Sequence, residues 1–137
     1  MLQVTPYIAF KGVCRNAIEF YKSALGAEVL FTQTVGESPM SNMGPAANIM
    51  HCTLKVGDST IMMCDDPSPA SASSDGGNIS LTLGLKDPER ARQLFANLAD
   101  SGGTVLMPME KTYWAEAFGM LTDQFGVKWM VNCEAPK

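Results

Sequence analysis

The side chains of this 137-residue chain with chemistry to offer are a single histidine, four cysteines, two adjacent acids and a knot of aromatics. His51 stands beside Cys52, but a nucleophile and its base must lie within hydrogen-bond reach. Neighbours along a strand point to opposite faces, so these two do not form a pair. His51 is left as a general base in a pocket or as a packed or surface histidine. Together with Cys64 and either Asp65 or Asp66 it would offer zinc ligands, at a spacing that matches no familiar zinc pattern. Asp65-Asp66 closes a strand ahead of a Pro- and Ser-rich loop. Such acids could hold a divalent ion, and the expectation is that they are solvated turn residues. Glu116 flanks the aromatic tail and is a candidate general base or ligand orienter, whereas Glu19, Glu110 and Lys111 read as surface charges. Trp114 with Tyr113 offers a stacking surface for a flat or cationic ligand, or else fills a core or a subunit contact.

The elements that must position these residues are densest in information at the end of the chain. Across residues 113–130, Trp114, Phe118, Phe125 and Trp129 crowd around an Asp123-Gln124-Phe125-Gly126 turn, in a chain whose aromatics total only 8%. That density marks a place where the fold or a ligand needs large rigid surfaces. Composition bounds the rest. With 46% hydrophobic and 18% charged residues the chain reads as globular, long enough for one domain with a real core. A net charge of −4 without any Lys/Arg run argues against nucleic acid. No apolar run approaches the roughly 18 residues of a membrane span, and the N-terminus carries no signal-peptide pattern, so the expected location is cytoplasmic. The cysteines, Cys14, Cys52, Cys64 and Cys133, lack CxxC spacing and are expected as reduced, mostly buried thiols.

The chain says the same thing twice. A strand at 4–10 precedes a helix at about 15–25, where Ala17, Ile18, Phe20, Tyr21 and Leu25 recur at helical spacing and Gly26 supplies the positive φ of a helix stop. Strands at 27–35, 49–56 and 59–64 follow, the last two joined by the hairpin dipeptide Gly57-Asp58. After a loop at 65–77 the order restarts. A strand at 79–85 leads to Asp87-Pro88, an N-cap with proline at the first helical position. The second helix runs to about residue 100, stopped by Gly102-Gly103, and strands at 104–109, 116–122 and 127–133 complete the module. These modules, about 3–66 and 77–135 within a single domain over 1–137, are each too small for a good core alone and are expected to pair.

Alternation assigns faces. Ile79, Leu81 and Leu83 point one way, under the helices, and Asn78, Ser80 and Thr82 the other. On the last strand Trp129, Val131 and Cys133 share a face opposite Met130 and Asn132. Met62 and Cys64 lie together on theirs. A polar sheet face meets water by default. The functional alternative is a ligand cavity lined by Asn78, Ser80, Thr82, Asn132, Met62, Met130 and Trp114.

Several of these features together resemble a known superfamily: the doubled strand–helix–three-strand order, the helix Ala17-Ile18-Glu19-Phe20-Tyr21 with Leu25-Gly26-Ala27-Glu28, and the final Asp-x-x-Gly turn. They resemble the vicinal oxygen chelate superfamily of glyoxalases, extradiol dioxygenases and fosfomycin- and bleomycin-resistance proteins. Thr5-Pro6-Tyr7 with Phe10, Ile61-Met62-Met63 and the Trp114-to-Met130 ending look like its PhnB-like branch. The resemblance implies an α+β fold in which two βαβββ modules form curved mixed sheets around a cavity. It also implies a homodimer and a small-molecule ligand. Members with a metal place four His, Gln or Glu ligands on the first, fourth, fifth and eighth strands, which here fall on Pro6, Met62, Asn78 and Met130. None of these suits a hard metal, since proline offers no donor side chain, thioethers prefer soft ions and an amide oxygen is weak. The expectation is therefore a binding protein with no cofactor and no metal at the usual position. The alternative is a divalent-metal lyase, isomerase or dioxygenase with relocated ligands. Some PhnB-like members carry a methyltransferase label, but this chain has no Gly-rich loop opening a helix after a strand to hold S-adenosylmethionine.

Overall fold

The structure is a computed structural model that describes residues 2–40, 42, 44–66 and 77–135. Most of the loop expected at 65–77 lies outside the described residues. The chain divides into two compact units, Met1–Ala72 and Ser73–Lys137.

In the first unit the elements are β1 (Tyr7–Phe10), α1 (Cys14–Leu25), β2 (Glu28–Thr34), β3 (Ile49–Val56) and β4 (Ser59–Asp65). They build a four-stranded sheet in the order β1-β4-β3-β2. β1 runs parallel to β4 and the other neighbours are antiparallel, so the sheet is mixed. β1 starts three residues later than its apolar run suggests. Pro6 has no N–H for a ladder, and it enters the sheet only through its carbonyl, which accepts from the Met62 N–H at 2.9 Å. α1 buries Ala17, Ile18, Tyr21, Ala24 and Leu25, one stripe at helical spacing. It ends at Gly26 with φ 68, the left-handed conformation that glycine adopts without a Cβ clash.

Asp65 corrects the sequence reading. It is buried rather than solvated, and its two carboxylate oxygens accept from Cys14 N and Ile49 N, each at 2.9 Å. Cys14 is the first residue of α1, whose N-cap, Val13, offers no side-chain acceptor. A carboxylate from the end of β4 therefore does the capping, satisfying an orphan helix N–H and facing the positive end of the helix dipole.

The second unit repeats the plan with β5 (Leu81–Leu85), α2 (Pro88–Ala99), β6 (Thr104–Glu110), β7 (Ala115–Thr122) and β8 (Lys128–Glu134), ordered β5-β8-β7-β6. β5 is parallel to β8, as β1 is to β4. Asp87 caps α2 by accepting from Glu89 N and Arg90 N at 3.1 and 3.3 Å, with Pro88 behind it. At the other end the left-handed position falls to Ser101 (φ 61), one residue before the glycines expected to stop the helix. β5 begins at Leu81 rather than 79, which leaves Ile79 exposed instead of under the helix. The core of this unit lies between α2 and one sheet face, with Leu94, Leu98, Ala117, Leu121, Trp129 and Val131 buried. Gly119 sits on that face because a Cβ there would come within 2.7 Å of the Phe95 ring. All four cysteines are free thiols, and Cys14, Cys52 and Cys133 are fully buried.

Candidate functional site

The tail that opened the chemical argument is anchored by Asp123. Its Oδ1 accepts from Phe125 N and Val127 N at 2.8 and 3.1 Å, and its Oδ2 accepts from the Trp129 indole at 2.9 Å. One buried carboxylate thus shapes the turn and fixes Trp129 in the core, so Trp129 is structural. With Trp129 inward, alternation turns Met130 and Asn132 onto the opposite, open face.

Pairing then decides what stands beside them. Thr82 is the partner of Met130 and Gly84 the partner of Asn132 across β5 and β8, while Met120 and Phe118 face the same two residues from β7. Trp114 rests edge-on against Phe118 with ring centroids 5.3 Å apart, and Tyr113 leans on Trp114 at 4.8 Å. Trp114 is 47% exposed and Tyr113 is 97% exposed, so neither fills this unit's core. Glu116 is half-buried where the β7–β8 pairing slips between Ala115 and Ala117, in alternation with the buried alanines.

Asn132 carries the feature the sequence could not show. Its side-chain oxygen is buried yet has no hydrogen-bond partner among the described residues. A buried carbonyl without a donor costs about 1–3 kcal/mol, and such groups are rare enough to need a reason. Beside it, Gly84 has open space where a Cβ would stand. An unpaired acceptor therefore stands next to open, solvent-facing space at the exposed Gly84, flanked by the exposed Thr82, by Met130 and by the Phe118–Trp114 aromatics. Of the residues expected to line a cavity, Thr82, Met130 and Asn132 share this face. Ser80 and Asn78 precede β5, Ser80 half-buried and Asn78 exposed in a turn. Met62 belongs to the first sheet, paired with Tyr7 and Thr53.

The open face of that first sheet holds His51. Its Nδ1 shares a hydrogen bond with the Tyr7 hydroxyl at 3.3 Å, and its Nε2 shares one with Thr53 Oγ1 at 3.1 Å. The imidazole lies between the Tyr7 and Phe31 rings, with centroids at 5.7 and 6.0 Å. Burial, then the neighbouring Cys64 thiol, pushes the Tyr7 hydroxyl up to about 12. Burial likewise pushes the Cys64 thiol up. Cys52, on the opposite face, is fully buried. Sequence reasoning missed Tyr7 as the partner of His51 because 44 residues separate them and only the β1–β4 pairing brings them together.

Among the described residues no three His, Cys, Asp or Glu side chains converge as a metal site. The positions that hold metal in the resembling family fit one poorly here. Pro6 gives its carbonyl to Met62 N, the residue level with Met130 is Thr82, and two thioethers are poor donors for a hard ion. Asp65, once a possible zinc ligand with His51, is committed to backbone on the other side of the sheet.

Comparison with known proteins agrees with this architecture. The chain is 36% identical over 142 residues to Protein YjdN of Escherichia coli (strain K12), covering 96% of this chain and 95% of that protein. It superposes on the crystal structure of protein PA1353 from Pseudomonas aeruginosa with TM-score 0.83 and 40% identity, covering 98% of each chain. It shares its fold with a Bacillus cereus PhnB protein titled a putative 3-demethylubiquinone-9 3-methyltransferase, at TM-score 0.81 and 22% identity over 96% of this chain and 99% of that one. The family model that matches residues 6–131 completes the assignment: the chain belongs to the Glyoxalase/Bleomycin resistance protein/Dioxygenase superfamily.

Proposed function

We propose that this protein binds a small organic molecule on the open face of its second sheet. The observation that carries the reading is the buried, unpartnered side-chain oxygen of Asn132 beside the space left by Gly84. A ligand that fits supplies an N–H or O–H donor to that oxygen and an apolar or aromatic body to Met130, Phe118 and Trp114. Thr82 offers a hydroxyl that donates or accepts, and the thioether adapts to irregular shapes. Ser80 and Asn78, just ahead of β5, extend that lining as expected from the sequence. The protein acts as a cytoplasmic homodimer in this reading. The edges of two four-stranded sheets need covering, and a symmetric partner is the common solution.

The test is a set of small aromatic amides, amines and phenols, screened by ligand-observed NMR against the wild type, Asn132→Leu and Gly84→Val. Binders should lose about tenfold or more in affinity to Asn132→Leu, the loss of one hydrogen bond of about 1.4 kcal/mol. Gly84→Val should block them by filling the space. Binders indifferent to both changes would remove this face from the site.

A further inference from the structure

Three side chains of the first sheet that can donate to a metal take no part in the face that carries Asn132: His51, Cys64 and Met62. The β3–β4 register sets Cys52 opposite Met63 and Thr53 opposite Met62, so its next step sets His51 opposite Cys64. Residues directly opposite on neighbouring strands share a face, with Cβ atoms about 5 Å apart. Met62 stands two residues from Cys64 on β4, on the same face. The Tyr7 hydroxyl links the first two, since it lies 3.3 Å from His51 Nδ1 and within hydrogen-bond reach of the Cys64 thiol. Cys14, Cys52 and Cys133 are fully buried, so Cys64 is the one thiol of the four that solvent reaches. We propose that Cys64, His51 and Met62 bind a soft monovalent metal ion, Cu(I), on the open face of the first sheet.

The donor set selects the ion. Thiolate, imidazole and thioether together favour Cu(I), whereas a hard ion wants oxygen ligands. Asp65, the acid at the end of β4, is committed to Cys14 N and Ile49 N on the other side of the sheet. His51 is held ready for the ion. With hydrogen on Nε2, that N–H donates to Thr53 Oγ1 at 3.1 Å and leaves the Nδ1 lone pair on the side of Tyr7. A ligating histidine is commonly oriented in this way, through a hydrogen bond from its other ring nitrogen. Before binding, the lone pair accepts from the Tyr7 hydroxyl, and the ion takes the place of that bond. The Cys64 S–H bond breaks, its proton goes to solvent and an S–Cu bond forms. No electron is transferred, because the ion arrives as Cu(I). The thiolate and the ion cancel in charge, which suits a half-buried face. Burial raises the Cys64 thiol, Asp66 and Asp65 add to that, and the Tyr7 hydrogen bond lowers it. Both carboxylates also attract a cation. Tyr7 and Phe31, whose rings flank the imidazole, are half exposed and leave the ion a path from solvent.

The site shares no residue with the Asn132 reading and stands or falls apart from it. The test is titration of the intact chain with Ag(I), which is soft and redox-inert, and then competition for Cu(I) against a bathocuproine chelator without oxygen. Wild type should take up one ion per chain and release one proton as it does so. Cys64→Ser and His51→Gln should each weaken binding by about 100-fold or more, and Thr53→Val, which frees the imidazole to turn, by about 10-fold. Met62→Leu should weaken it less than either of the first two, and melting curves show which variants remain folded. Wild type alone supplies a second readout. Because His51 is the single histidine, its ring nitrogen-15 resonances need no assignment to a residue, and Ag(I) should move Nδ1 while Nε2 keeps its proton. Unchanged binding in Cys64→Ser overturns the site. Equal binding in wild type and His51→Gln, or an Nδ1 resonance that Ag(I) leaves in place, reduces it to a lone thiol and overturns it too. Tighter binding of Zn(II) than of Cu(I) overturns the choice of ion.

Discussion

Replacing Asp123 with alanine removes the acceptor of two backbone N–H groups and of the Trp129 indole at once. The losses are unequal. Phe125 and Val127 are only half-buried, so water can serve their N–H groups after the change, and each bond to the ionised carboxylate is worth about 1–2 kcal/mol net. Trp129 is 2% exposed, so its indole N–H would be stranded, at about 1–3 kcal/mol. The expected total is about 3–7 kcal/mol, a large part of a typical 5–15 kcal/mol stability. Asp123→Asn keeps the oxygen facing the turn but aims an NH2 group at the indole N–H, and should cost about 2–3 kcal/mol. Urea unfolding followed by far-UV circular dichroism measures both. Combining Asp123→Ala with Trp129→Phe should cost less than the sum of the single changes by about 1–3 kcal/mol, because the stranded donor is gone. A cost below about 1 kcal/mol for Asp123→Ala, or strict additivity with Trp129→Phe, would refute the anchoring argument.

Other perturbations separate the remaining claims. Asp65→Ala should destabilise by about 2–4 kcal/mol, since Cys14 N and Ile49 N both lose a buried acceptor; a change within experimental error in the urea midpoint would mean that water replaces the carboxylate. Gly119→Ala should cost about 1–3 kcal/mol, because its Cβ would meet the Phe95 ring at 2.7 Å and Met109 Sδ at 2.8 Å, and a neutral melting temperature would show that both side chains yield. At alkaline pH the sign follows from protons held more tightly in the fold. Cys52 is fully buried, and burial raises its thiol to about 11. The stability it contributes is complete below its ordinary value and is lost as pH climbs through about 11. The urea midpoint should therefore fall above about pH 9, and a flat profile there would contradict the burial of Cys52.

How much of this was legible in the sequence depends on whether the cause was local. Helix spacing, the Asp87-Pro88 start, the Gly57-Asp58 hairpin and the face alternation of 129–133 are set by neighbours a few residues away, and the structure places them as read, with ends shifted by a residue or two. The doubled topology was legible for the same reason, since each module repeats the same local signals. What failed was long-range. Asp65 looked like a turn acid because its partners, Cys14 and Ile49, lie 51 and 16 residues away. The Tyr7–His51 bond spans 44 residues. The unpaired oxygen of Asn132 depends on what three strands fail to supply, which no pattern along one strand records. Residue 79 misled through its apolar side chain, for β5 starts only at Leu81.

The central claim, that Asn132 keeps an unpaired oxygen for a ligand, is tested most directly by Asn132→Leu, a nearly isosteric change. Its thermal unfolding should be compared with wild type, with and without an aromatic amide that binds the wild type. The account predicts that the variant without ligand is as stable as wild type or more stable, by up to about 1–3 kcal/mol, because a stranded polar group has been removed. It also predicts that the amide raises the melting temperature of wild type and leaves that of the variant unchanged. A variant destabilised by more than about 1 kcal/mol, or stabilised equally by the amide, would mean that this oxygen serves the fold or the solvent and not a ligand.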